Sequence, residues 1–173
     1  MMTSSQLYKE GANKGVVMGI VLSAASVLCM LSMHYALASL PALALLLSIP
    51  FVQFRLLASV YRKYGCTDPF SSLWMLGISI FIGGSLICAA ITYAYLELFD
   101  PNLFYNMLKE IHTMSASMPD LKEFHGQLSL MLEKGLYPSN IGYCIEMVML
   151  TIFLGSLLSI LLVPLARLLK PKH

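Results

Sequence analysis

Charge is scarce in this sequence. Asp, Glu, Lys and Arg make up 12% of the 173 residues, about half the ~25% typical of a soluble domain. That excludes a water-soluble globule clothed in charged side chains. The net charge is only +2, and the bases are not gathered into a patch, which excludes a nucleic-acid footprint. The four cysteines, Cys29, Cys66, Cys88 and Cys144, form no CxxC pair. Three lie inside apolar runs, where a thiol acts as a small apolar side chain rather than half of a disulfide or a metal ligand. No Walker loop, HExxH, GxSxG, dinucleotide fingerprint or paired-carboxylate arrangement occurs. The expectation is therefore a non-enzyme with no catalytic, cofactor-binding or metal-ligating residues. The mid-membrane polar positions and broken-helix repeats typical of transporters are missing as well.

What is present is apolar. Hydrophobic residues make up 58% of the chain, and mean hydropathy is +0.75. These residues fall in four runs, at about 15–38, 40–57, 72–96 and 141–169. A helix needs about 20 such residues to cross roughly 30 Å of hydrocarbon, and only helices and closed barrels satisfy their backbone there. The predicted fold is all-α: one polytopic membrane domain over 1–173 with four transmembrane helices. The first run is too long for a secretory h-region and is read as an uncleaved span. Ser39 is the expected N-cap of the second span, with Pro41 in its first turn. Pro50 lies mid-span, where it removes the backbone bond to Leu46 and favours a kink.

Eight of the eleven bases fall on one side of this layout: Lys9, Lys14, Arg55, Arg62, Lys63, Arg167, Lys170 and Lys172. The positive-inside rule makes that side cytoplasmic, so both termini are expected inside. An even number of spans agrees.

The connection over 100–140 is the one sizeable part outside the spans. Leu103, Phe104, Met107, Leu108, Ile111 and Met114 recur at helical spacing after Asp100-Pro101. Leu121, Phe124, Leu128, Met131 and Leu132 repeat the pattern from near Pro119, and Gly135 is placed to end it. The expectation is a periplasmic amphipathic helical hairpin between helices 3 and 4. It lies on lipid, caps the bundle or receives a partner. His112 and His125 are expected as solvated residues on its polar faces.

Within the spans, Gly11, Gly15, Gly19 and Ser23 form a stripe of small residues four apart, which lets another helix approach closely. Packing inside the bundle is favoured over a dimer, with Gly77, Gly83, Gly84 and Cys88 of the third span and Gly155, Ser156 and Ser159 of the fourth as matching small residues. Glu146 is the one acid clearly inside a span and is the candidate polar site, although it lies only about one and a half turns from the outer end. Trp74, Tyr93 and Tyr95 read as interfacial aromatics, and Arg55 as a snorkelling base.

The chain resembles a bacterial family of small four-span proteins, domain of unknown function 4199. The resemblance rests on Tyr8-Lys-Glu-Gly-Ala-Asn-Lys-Gly15 opening the first span. It rests also on Tyr61-Arg-Lys-Tyr-Gly65 followed by Pro69-Phe-Ser-Ser-Leu-Trp74, and on Tyr93-Ala-Tyr-Leu-Glu-Leu-Phe-Asp-Pro101. It implies a multi-pass protein of the bacterial inner membrane and carries no active-site residues over. Two functional expectations follow. The first is an accessory or scaffold subunit that sits in the lipid bilayer and binds a membrane partner or a second copy of itself. The alternative is a small transporter or lipid-handling protein with a polar site near Glu146.

Overall fold

The computed structural model describes residues 4–64, 69–116 and 122–168. Six α-helices occur among them: α1 Ser4–His34, α2 Ser39–Tyr64, α3 Pro69–Phe99, α4 Leu103–Ala116, α5 Lys122–Glu133 and α6 Asn140–Arg167. No strand is present among the described residues. Helices α1, α2, α3 and α6 are each long and apolar enough to cross a membrane. The protein is an all-helical, multi-pass membrane protein in this sense. The helices overrun the apolar runs, because the charged flanks Tyr8–Lys14 and Arg62–Tyr64 continue as helix.

The chain forms two compact units, Met1–Thr92 with Ile145–His173, and Tyr93–Cys144. In the first, α1 packs on α2, and a one-turn 3-10 helix, Ala36–Ala38, joins them. Ser39 does not cap α2. It already has helical dihedrals, and its hydroxyl donates to the Ala36 carbonyl at 2.6 Å, tightening the turn. The core gathers Met18 from α1, Leu57 and Val60 from α2, Leu73, Leu76, Ile80 and Phe81 from α3, and Val163 and Ala166 from α6. In lipid such contacts do not draw on expulsion of water. They hold by close packing and by the few hydrogen bonds between helices.

The second unit contains the α4–α5 hairpin and the helix ends that flank it. The α4 helix starts at Leu103, whose N–H closes a turn on the Asp100 carbonyl at 3.2 Å. The expected start of α5 near Pro119 lies outside the described residues. Its end is at Gly135, with φ of 62°. Leu136 N–H donates to Met131 O at 2.8 Å and Gly135 N–H to Leu132 O at 3.3 Å. This paired closure needs a left-handed residue, which glycine supplies without strain. Phe104 on Tyr143 (4.8 Å between centroids) and Tyr105 on Tyr137 (5.9 Å) pack the base of the hairpin. Asn140 Nδ2 donates to Glu97 Oε1 at 3.2 Å.

Candidate functional site

The small-residue stripe of α1 faces α3. A Cβ on Gly15 would lie 3.2 Å from Gly83 Cα and from the Ile80 carbonyl, and one on Gly19 would lie 2.9 Å from Ile87 Cβ. From the other side, a Cβ on Gly84 would come within 3.2 Å of Gly19 N. Gly11 meets Ser79, and Ser23 donates to the Gly19 carbonyl at 2.6 Å. The partner of the stripe is thus a helix of the same chain, backbone against backbone.

Glu146 lies on the exposed surface of α6 and makes no hydrogen bond or ion pair among the described residues. The interior polar group is instead Gln53, which is 0% exposed. Its Nε2 donates to Ser159 Oγ at 3.2 Å, and Ser159 donates onward to the Gly155 carbonyl at 2.7 Å. Because Ser159 already gives its proton to the backbone, it can only accept from Gln53, which orients the amide. Gln53 Oε1 is buried without a partner among the described residues. Gly77 makes room for Ser159, since a Cβ there would overlap the serine. Trp74 is tied into the same packing through its indole N–H to Ser156 Oγ at 3.3 Å, so it braces α3 to α6 rather than serving only as an interfacial ring. Toward the other end of the bundle, Ser26 and Thr92 hydroxyls meet at 2.9 Å, and Ser26 reaches Met147 Sδ at 4.0 Å.

An apolar cleft of about 310 Å³ opens among α1, α2, α3 and α6. Leu46 and Pro50 from α2 and Thr151, Leu154 and Gly155 from α6 line it. Pro50 has no N–H, so the Leu46 carbonyl on this wall lacks its helical donor. Phe81 fills the space above Gly155, where a Cβ would overlap the ring.

Where α1 starts and α2 stops, the flanks are polar. Glu10 Oε1 accepts from Lys63 Nζ at 2.8 Å and from Tyr64 OH at 2.8 Å, and Lys63 stands 4.7 Å from the centre of the Tyr64 ring. These residues lie beyond the apolar runs. The Lys63 and Tyr64 hydrogen bonds hold the Glu10 carboxyl below the usual carboxylate range.

In the second unit, His112 and His125 are not separately solvated. Their rings stack across the hairpin at 4.1 Å with 23° between planes. His112 Nε2 meets Ser129 Oγ at 2.9 Å, and His125 Nδ1 meets Ser115 Oγ at 3.0 Å. Each serine already donates to a carbonyl of its own helix, Ser115 to His112 O and Ser129 to His125 O. The hydroxyls therefore accept from the imidazoles, through Nε2–H on His112 and Nδ1–H on His125. No group of three metal-ligating side chains occurs among the described residues.

Residues 13–164 match the family model described as Protein of unknown function (DUF4199). The chain belongs to the DUF4199 family. No curated protein and no solved structure matches it.

The stretch shared with the DUF4199 family takes in Gly15, Gly19, Gln53, Ser159 and both histidines, and leaves out Glu10 and Gly11. Gln53 was not among the candidate site residues read from the sequence. The available signal was a polar side chain three residues after a mid-span proline. The histidine pair had no such signal, since nothing in the spacing of two residues on different helices says that their rings meet.

Proposed function

We propose that this DUF4199 family member is an accessory subunit of the bacterial inner membrane, with both termini cytoplasmic, that binds another membrane protein and catalyses no reaction. The observation that carries this reading is the bundle interior. Among the described residues it buries no charged side chain. Its polar groups sit in short hydrogen-bonded clusters rather than along a path. Such an interior supports a static scaffold whose working part is its surface. On the hairpin, Met114 (57%) and Phe124 (44%) keep much of their area exposed, and these are the apolar side chains the proposed partner would cover.

The test is affinity purification in mild detergent of wild type and of Met114→Ser/Phe124→Ser. The expected result is a stoichiometric companion held by wild type and lost from the variant, with the unfolding midpoint unchanged. A wild type that purifies alone, or a variant that keeps the companion, overturns the proposal.

The lipid-handling alternative draws on the α2–α6 cleft. It predicts that Thr151→Phe, which fills that cleft from α6, removes co-purifying lipid while leaving the companion bound.

A further inference from the structure

The polar flank between α1 and α2 encloses a cavity of about 350 Å³ lined by Gln6, Lys9, Glu10, Asn13, Lys63 and Tyr64. We propose that this cavity binds the phosphate of an anionic membrane phospholipid headgroup.

Depth supports this first. Glu10 precedes the apolar run at Gly15 by five residues, about 7 Å along a helix. Lys63 follows the end of the second run at Leu57 by six, about 9 Å. The polar boundary layer of a bilayer is roughly 5–8 Å thick on each face, so Glu10 lies within it and Lys63 at its outer edge, within reach of lipid phosphates.

Charge supports it next. Lys63 is balanced by Glu10. Lys9 makes no ion pair among the described residues, and Lys14 also acts on the Glu10 carboxyl, so the cations here outnumber the one acid. A phosphodiester headgroup such as phosphatidylglycerol carries a net negative charge and complements that excess. A choline headgroup cancels its own phosphate and lacks this complement. The donors suit a phosphate as well: the Lys9 ammonium, the protons of Lys63 not given to Glu10, and the Asn13 amide. The Glu10–Lys63–Tyr64 network holds one wall in place without a ligand, so little ordering is left for binding to accomplish.

The experiment is native mass spectrometry of the full chain released from vesicles of phosphatidylcholine and phosphatidylglycerol at three to one. Wild type should retain phosphatidylglycerol well above its share of the vesicle. Lys9→Gln should lower that retention about tenfold, the size of one charged hydrogen bond. Lys134→Gln, an exposed base in the other unit, should leave it unchanged. Lys9 is exposed, so its loss does not threaten the fold. Asn13→Leu, which fills the mouth with an apolar side chain, is a second route to the same loss. Retention in the bulk lipid ratio, or equal loss in the Lys9 and Lys134 variants, overturns the proposal. Release of the retained lipid by millimolar inorganic phosphate overturns it in favour of a free-anion site.

Discussion

At the scale of single residues, glycine has opposite meanings in different parts of this chain. Gly15 stands against backbone: a Cβ would sit 3.2 Å from Gly83 Cα, and a main-chain atom cannot rotate aside as a side chain can. Overpacking of this kind costs about 1–3 kcal/mol. Gly15→Leu is expected to lower the unfolding midpoint in detergent, and an unchanged midpoint would mean that α1 and α3 do not meet there. Gly126 has open space around it, with nothing within 4 Å of a built Cβ, in the interior of α5. Gly126→Ala is expected to stabilise the hairpin by about 0.4–1 kcal/mol by narrowing the unfolded ensemble. Amide exchange across α5 checks it, and faster exchange would contradict it. The stripe from Gly11 to Ser23 was legible as a pattern, because four-residue spacing fixes one helix face. Its partner was not, because α3, α6 and a second copy all offer small residues.

Individual elements differ in how much of them local chemistry sets. The end of α5 was readable from Gly135, since a helix that closes through a left-handed residue wants glycine. The start of α2 was not, because Ser39 has two uses for its hydroxyl and donates to the preceding turn. The hairpin has short helices, 14 and 12 residues, near the limit at which an isolated helix holds in water. The crossed His–Ser bonds and the ring stack therefore add to the apolar contacts of the hairpin in holding α4 on α5. A hydrogen bond contributes about 0.5–1.5 kcal/mol and a ring pair about as much again. His112→Ala is therefore expected to speed amide exchange in α4 and α5 while leaving the four long helices protected. Uniform loss of protection across all six helices would show instead that the hairpin is not a separate cooperative unit.

For the whole molecule, the proposed orientation makes a sharp prediction. A protease site placed after His173 should resist protease added to spheroplasts, and one inserted after Gly135, past the end of α5, should be cut. The reverse pattern would invert the topology. The sequence by itself determined the helical class and the four long apolar helices. Those depend on run length and on the need to bond every backbone group in lipid, both properties of contiguous segments. It also marked the face of α1 that needs a close neighbour. Tertiary structure decided which helix supplies that neighbour, put Glu146 on the surface and Gln53 in the interior, and brought His112 onto His125 and Lys63 onto Glu10. Each of those depends on how helices distant in the chain rotate against one another, and helical periodicity defines a face without saying what it faces.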